Sequence, residues 1–154
     1  MKYYAIIDIG KTNKKVLIYS SALELVETKF QRFDEVRIID GLLAEDIDNI
    51  IKWVFDALAE LYLKYQYSVI SVTTHGATSV SIDKDGGLAF PVIAYTNEPG
   101  EKFHKKFFKT FGKPEKLQEE TATADFSNFI NMGKSIYFIK EKFPENWESI
   151  KYFL

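Results

Sequence analysis

Residues 3–19 read YYAIIDIGKTNKKVLIY, two apolar runs rich in β-branched residues that are separated by a short polar turn. The runs Tyr3 to Ile9 and Lys15 to Tyr19 have the composition of β-strands. Because the connection between them has only five residues, the two strands are expected to be antiparallel neighbours. The next segment, Leu23 to Phe33, alternates apolar and polar residues and predicts a third strand of the same meander.

After Gly41 the apolar residues recur at intervals of three and four, which places them on one face of a helix. They are Ile47, Ile50, Ile51, Val54, Leu58, Leu61, Tyr62 and Tyr65. Val69 to Thr74 then has the composition of a buried strand. A strand that follows an amphipathic helix is typical of a crossover that returns to the same sheet. The fold class predicted is therefore α/β, with a mixed sheet of antiparallel strands, a crossover helix and further strands.

The second half of the chain predicts shorter strands and two more helices. In order, these are strands from Gly76 to Ile82 and from Ala89 to Tyr95, a helix from Glu98 to about Gly112, a polar loop or irregular helix from Glu115 to Asn128, and a helix from Ile130 to Phe143 that Pro144 ends. The phenylalanines of the first of these helices are interpreted as core residues rather than as a ligand pocket.

Composition excludes several classes of function. The chain has 154 residues, of which 46% are apolar, and this suffices for the core of one globular domain. A net charge of −2 argues against nucleic acid and anionic membranes as partners. With no cysteine and two histidines, disulfides, thiolate chemistry and zinc centres are excluded or nearly so. The apolar run at the start is too short for a signal sequence or a membrane span, so a cytoplasmic location is expected.

The turn after the first strand has the residue types of a phosphate and metal site. Its candidate residues are Asp8, Gly10, Lys11, Thr12, Asn13 and Lys15. Glycine permits close approach of the backbone to phosphate, lysines supply positive charge, and an aspartate can hold Mg²⁺. Taken alone, an ordinary hairpin turn explains these residues better. A Walker A motif is excluded, because Ala5 occupies the position of its first glycine and a strand follows where a helix is required.

Two further strand ends carry hydrogen-bonding groups. Thr74, His75 and Gly76 follow the crossover strand, and Tyr95 and Asn97 follow a later one. Open α/β sheets bind ligands at the carboxyl ends of their strands, so these residues are candidates for contacts with a polyol or sugar. The alternative is that both segments are ordinary polar connections.

In their order and spacing, these motifs resemble the FGGY carbohydrate kinases, a branch of the ribonuclease H-like fold of actin, sugar kinases and heat-shock chaperone ATPases. The segments that carry the resemblance are 8–15, 72–76 with 82–83, 91–97, and 133–140 with 144–145. The resemblance extends over essentially the whole chain.

The resemblance implies an ATP-dependent kinase that uses Mg²⁺ and phosphorylates a hydroxyl group of a sugar, ketose or polyol. It implies that Asp8 helps to position Mg²⁺ and that Gly10, Lys11, Thr12, Asn13 and Lys15 lie near the phosphates. It further implies that the sugar is bordered by Thr74, His75, Gly76, Tyr95 and Asn97.

Residues 1–154 are expected to form the N-terminal portion of the first kinase domain. The resemblance places the catalytic base and the adenine pocket outside this portion, so we expect the isolated chain to be inactive. Because it ends on the apolar residues Tyr152 to Leu154, we also expect it to associate, for example as a homodimer. The alternative is a naturally short, non-catalytic module of the actin-like fold that acts by assembly or partner binding.

Overall fold

The computed structural model describes residues 2–154. In chain order the strands and helices are β1 (Tyr3–Ile9), β2 (Asn13–Ser20), β3 (Leu25–Arg32), β4 (Val36–Arg37), β5 (Leu43–Ala44), α1 (Ile47–Tyr65), β6 (Val69–Thr74), β7 (Ser81–Ile82), α2 (Glu101–Phe111), α3 (Pro114–Thr121), α4 (Met132–Lys142), α5 (Pro144–Ser149) and β8 (Tyr152–Phe153). They form two compact units: unit 1 contains the residues up to Glu35 together with Asp46–Gly76, and unit 2 contains Val36–Glu45 together with Ala77–Leu154.

Unit 1 is a four-stranded mixed sheet with one helix packed on it. The strand order is β3-β2-β1-β6, in which β1, β2 and β3 are antiparallel neighbours and β6 runs parallel to β1. This confirms the α/β fold class and the antiparallel first three strands. Alternate residues of β1 and β2 face α1 and are buried, because strand side chains point to opposite faces in turn. The core consists of Ala5, Ile7, Val16, Ile18, Ala57, Leu58, Leu61 and Tyr67.

Helix α1 spans Ile47 to Tyr65, the same stretch over which the apolar residues recur at helical spacing. The side chain of Asp46 caps it by accepting a hydrogen bond from the backbone N–H of Asn49 at 3.4 Å. Gln66 ends it in the left-handed conformation, and its N–H donates to the carbonyl of Tyr62 at 2.9 Å. Because the apolar residues of α1 recur at helical spacing, one face packs on the sheet. Across residues 2–154, none of the helices combines the length and apolar character needed to cross a membrane.

Unit 2 is mainly helical, with two short strand pairs. Strand β4 pairs with β5, and β7 pairs with β8. The core is dominated by aromatic side chains from α2 and α4, which confirms that the phenylalanines of α2 contribute to a core. The buried members are Phe90, Ile93, Phe103, Phe107, Phe129, Tyr137, Phe138, Ile139 and Phe143.

The predicted strands from Gly76 to Ile82 and from Ala89 to Tyr95 were wrong in extent. In the first segment only Ser81 and Ile82 form a strand, and the second segment has only an isolated bridge at Ile93. Pro91 has no backbone N–H, so it cannot donate a hydrogen bond to a neighbouring strand. The bridge pairs Ile93 with Ala44 of β5, and its two hydrogen bonds run from the N–H of Glu45 to the carbonyl of Val92 and from the N–H of Ala94 to the carbonyl of Leu43, each at 2.9 Å.

The helix boundaries of unit 2 also differ from the prediction. Helix α2 begins at Glu101 rather than Glu98, because Pro99 and Gly100 precede it. Helix α4 begins at Met132, since Asn131 caps it through a 3.0 Å hydrogen bond to the N–H of Gly133. Pro144 not only ends the preceding helix but also opens α5, because proline is well suited to the first turn of a helix.

The last residues of the chain are paired within unit 2. Leu154 and Val80 exchange backbone hydrogen bonds, each of 2.9 Å, and the ring of Phe153 contacts that of Trp147. The side chains of Tyr152 and Leu154 are nevertheless exposed, at 58% and 75%. The apolar ending therefore belongs to a small sheet, and only part of its side-chain surface faces solvent.

Candidate functional site

The turn between β1 and β2 is tight, and its first residue has to be glycine. The N–H of Gly10 donates to the carbonyl of Asn13 at 3.1 Å. A Cβ atom on residue 10 would lie 2.9 Å from that same carbonyl oxygen, which is closer than van der Waals contact permits. The side chains of Thr12 and Asn13 are exposed at the tip. The turn therefore presents backbone, hydroxyl and amide groups to solvent at the carboxyl end of β1.

Three polar side chains form a row beside this turn. The strand register pairs Asp8 with Lys15 on β2 and with Thr73 on β6. Because Ala5, Ile7 and Val16 point toward α1, the row lies on the opposite face of the sheet. The Lys15 ammonium is 3.3 Å from Oδ2 of Asp8. A carboxylate, an ammonium and a hydroxyl thus stand side by side at the carboxyl ends of β1 and β6.

The other two lysines of the turn have different surroundings. Lys11 forms an ion pair with Glu35, and both side chains are about four-fifths buried. Lys14 is fully buried, and its ammonium donates to the carbonyl of Lys11 at 2.9 Å, which braces the turn from within. Sequence analysis did not single out Lys14, although its alternation with Val16 and Ile18 places it on the face toward α1.

His75 and Thr74 connect the end of β6 to the end of β1. The backbone N–H of His75 donates to the carbonyl of Ile9 at 2.9 Å, and its ring Nδ1 lies 3.1 Å from the same oxygen. The Thr74 hydroxyl is also within 3.4 Å of that oxygen. A carbonyl can only accept, so Nδ1 carries a proton and donates. These contacts hold the loop at Gly76 next to the turn between β1 and β2. The space around Gly76 is open.

Asn97 and Tyr95 belong to unit 2, where both have structural contacts. The Asn97 amide accepts from the N–H of Leu43 at 2.8 Å and donates to the carbonyls of Leu43 and Ala94 at 2.8 and 2.7 Å. The carbonyl of Tyr95 accepts from the N–H of Phe129 at 2.9 Å. The main observed role of the Asn97 amide is therefore to join two backbone segments, and contacts of Asn97 and Tyr95 with a sugar stay predictions.

Asp8 is the single residue that the sequence nominates for a metal. In the part of the chain that the structure describes, no group of three or more histidine and acidic side chains could hold a metal ion. Mg²⁺ in phosphoryl-transfer enzymes is commonly held by one or two carboxylates together with phosphate oxygens and water. One carboxylate at the edge of the turn of Gly10 is thus a chemically suitable donor for this ion.

Unit 2 contains a cavity of about 840 Å³ that the sequence did not predict. Phe107, Phe108 and Phe111 of α2 form part of its lining, and Phe107 is also a buried member of the core. Lys134 lies at the edge of this cavity and is 99% buried. Its ammonium donates to the carboxylate of Asp125 and to the carbonyl of Phe126, each at 2.5 Å. Its ammonium also lies 5.1 Å from the ring of Phe108. The charge of Lys134 is thus satisfied within the protein.

Comparison of the sequence with protein-family models and with curated proteins gives no match. Comparison of the structure gives clear matches to carbohydrate kinases. A carbohydrate kinase from Novosphingobium aromaticivorans matches with a TM-score of 0.83 and 22% identity, over 96% of this chain and 31% of that protein. A xylulose kinase from Lactobacillus acidophilus matches with a TM-score of 0.80 and 17% identity, over 99% and 31%.

A glycerol kinase from Plasmodium falciparum, solved with ADP, matches with a TM-score of 0.73 and 18% identity, over 96% of this chain and 30% of that protein. The chain therefore spans about a third of the length of the solved structures that it matches. At these identities the likeness establishes the fold. The resemblance inferred from the sequence is thus confirmed, and the chain has the actin-like ATPase fold of sugar kinases, over a stretch equal to about a third of their length.

Proposed function

We propose that this chain is part of an FGGY-type carbohydrate kinase that transfers the γ-phosphoryl group of ATP to a hydroxyl group of a sugar, ketose or polyol. The observation that carries the proposal is the row of Asp8, Lys15 and Thr73 beside the turn of Gly10, in a fold shared with solved carbohydrate kinases. Ligands of open α/β sheets collect at the carboxyl ends of the strands, where this row lies.

The turn between β1 and β2, with Lys11 and Lys15, is assigned to binding the phosphates of ATP. Its exposed tip, at Thr12 and Asn13, offers hydrogen-bonding groups, and Gly10 lets the chain turn tightly enough to present them. Lys15 supplies positive charge near the phosphate oxygens, and Lys11 is assigned to the same turn with its ammonium paired to Glu35. Phosphoryl transfer depends mainly on positioning and charge stabilisation, which are the contributions that such a turn makes.

Asp8 is assigned to Mg²⁺, which it would hold directly or through water. When bound, Mg²⁺ neutralises negative charge on the phosphate oxygens. The Lys15 ammonium, 3.3 Å from Oδ2, keeps the carboxylate of Asp8 beside the turn. The carboxylate and the ammonium are thus placed for different components of one ligand, the metal ion and the phosphate.

Thr74, His75, Gly76, Tyr95 and Asn97 are assigned to the sugar. For the first three residues the support is their position at the end of β6, next to the phosphate turn. Because the solved kinases are about three times as long, we further propose that the catalytic base, the adenine pocket and a second domain are supplied by residues other than these 154. The isolated chain is then inactive, and residues 1–154 form the N-terminal portion of the first kinase domain.

The proposed binding partners are ATP and the sugar, and the chain is further proposed to form a homodimer. Nucleic acid and membranes are not proposed as partners. The proposed location of the kinase is the cytoplasm. The net charge of −2 is consistent with small anionic and neutral ligands rather than with a polyanion.

Titration of the ¹⁵N-labelled chain with Mg·ATP tests the phosphate assignment. We expect the largest amide shifts at residues 8–13 and 73, and Asp8→Asn should weaken binding about tenfold. Asp56→Asn is the matched control, because Asp56 is an exposed aspartate of the same unit, paired with Lys52 at 2.6 Å. Shifts centred elsewhere, or equal binding by both variants, would overturn the assignment and favour the non-catalytic module.

A further inference from the structure

Lys14 places an ammonium group inside unit 1, where the proposed function gives it no role. Its side chain is fully buried and alternates with Val16 and Ile18 on the face of β2 that packs against α1. An ammonium group in an apolar core costs free energy unless its protons are hydrogen-bonded. An apolar residue would fill the same space without that cost, so a lysine here points to a contact that only a buried donor can make.

The contact is with the backbone of the turn between β1 and β2. The Lys14 ammonium donates to the carbonyl of Lys11 at 2.9 Å. The two ends of the turn are joined by backbone alone, because the N–H of Gly10 donates to the carbonyl of Asn13 at 3.1 Å. The peptide group inside the turn is therefore held by a side chain that reaches it from the buried face of the sheet.

The orientation of this peptide group decides where its N–H points. The peptide bond between Lys11 and Thr12 is trans, and in a planar trans peptide the C=O and N–H bonds point in opposite directions. Because the carbonyl of Lys11 faces the buried ammonium of Lys14, the N–H of Thr12 faces away from it. Thr12 is exposed, so this N–H is directed to the outer side of the turn.

The next residue of β2, Lys15, lies on that other side. Neighbouring residues of a strand point to opposite faces, so Lys15 points away from the face that holds Lys14. Its ammonium is 3.3 Å from Oδ2 of Asp8, in the row of polar side chains proposed to bind the metal ion and the phosphate. The N–H of Thr12 is thus directed to the side of the turn on which the phosphate oxygens are proposed to lie.

We propose that Lys14 is a positioning residue, which fixes the peptide between Lys11 and Thr12 so that the N–H of Thr12 donates to a phosphate oxygen of ATP. Lys14 acts through the backbone, because its own side chain is fully buried. This inference rests on the proposed function. A backbone donor that is oriented before the ligand binds needs no reorganisation at binding, so holding the peptide from within strengthens its contact with phosphate.

Two measurements on the full chain test this role. Lys14→Met keeps the length of the side chain but cannot donate. We expect it to weaken Mg·ATP binding about tenfold, and to change the residual dipolar coupling of the Thr12 N–H in the free protein while the couplings of β1 and β2 stay unchanged. Ile18→Val is the matched control, because Ile18 is equally buried on the same face of β2 but away from the turn. It should lower the urea midpoint yet leave both measurements unchanged.

A third measurement needs no variant and applies even if Lys14→Met does not fold. The ammonium protons of Lys14 should exchange slowly with water and show a scalar coupling to the carbonyl carbon of Lys11 across the hydrogen bond. Rapid exchange of these protons would overturn the proposal. So would wild-type binding by Lys14→Met, an unchanged Thr12 coupling, or equal weakening by both substitutions. If Mg·ATP does not shift residues 8–13 of the wild type, the phosphate assignment itself fails, and the role of Lys14 fails with it.

Discussion

At the scale of single residues, the turn between β1 and β2 depends on the absence of a Cβ atom at Gly10. A Cβ there would lie 2.9 Å from the carbonyl oxygen of Asn13, whereas a Cβ on Gly76 would have nothing within 4 Å. We expect Gly10→Ala to lower the free energy of unfolding by about 1–3 kcal/mol. Gly76→Ala, the control, should be neutral or stabilising by up to about 1 kcal/mol. Urea unfolding measures both, and equal midpoints would contradict the need for glycine at position 10.

The two histidines are predicted to be opposite tautomers when neutral. Nδ1 of His75 faces the carbonyl of Ile9 at 3.1 Å, while Nε2 of His104 faces the carbonyl of Ser127 at 3.0 Å. Since a carbonyl only accepts, His75 should carry its proton on Nδ1 and His104 on Nε2. Ring ¹⁵N shifts, measured in alkaline buffer, distinguish the two forms. If His75 shows the Nε2–H form, it does not hold the β6 loop through its ring.

At the scale of elements, a cluster of hydrogen-bonded side chains around Glu27 links α1 to β3. The pKa of the Glu27 carboxyl is lowered, because the Lys64 ammonium and the Tyr65 hydroxyl both donate to its carboxylate. A carboxyl with a lowered folded-state pKa stabilises the protein above its unfolded-state pKa. That stabilisation is lost as the pH falls through the folded-state value.

Glu27→Gln should therefore lower the urea midpoint at neutral pH and have progressively less effect as the pH falls below the ordinary glutamate pKa of about 4.3. Glu24→Gln is a control, since Glu24 lies just before β3 and outside this cluster. Midpoints of wild type and Glu27→Gln that differ by the same amount at every pH would show that the carboxylate charge does not matter.

At the scale of the whole molecule, we expect no phosphoryl transfer by the isolated chain. The chain matches only about 31% of the length of the solved kinases, and the proposed base and adenine pocket lie outside it. An assay that couples ADP release to a chromogenic reaction, run with ketoses, aldoses and polyols, measures this. Sugar-dependent turnover that Asp8→Asn abolishes and Asp56→Asn retains would show that these 154 residues already hold a complete catalytic site.

The sequence by itself determined those features that depend on local periodicity and on short turns. Residues 3–9, 47–65 and 69–74 form the predicted strands and helix, because alternation, helical spacing and crossover order leave few other arrangements. The short turn between β1 and β2 and the three antiparallel strands follow from the same reasoning. The kinase-like fold was recognisable from the order of the motifs.

Only the tertiary structure decided the features that depend on partners distant in the sequence. In residues 89–95 strand pairing is limited to one bridge, between Ile93 and Ala44, because the partner strand β5 has only two residues, which no local pattern reveals. The Asn97 amide likewise joins segments 54 residues apart. The register of β6 against β1, which sets Thr73 beside Asp8, is also a tertiary property, because strand composition does not fix which residues of two strands pair.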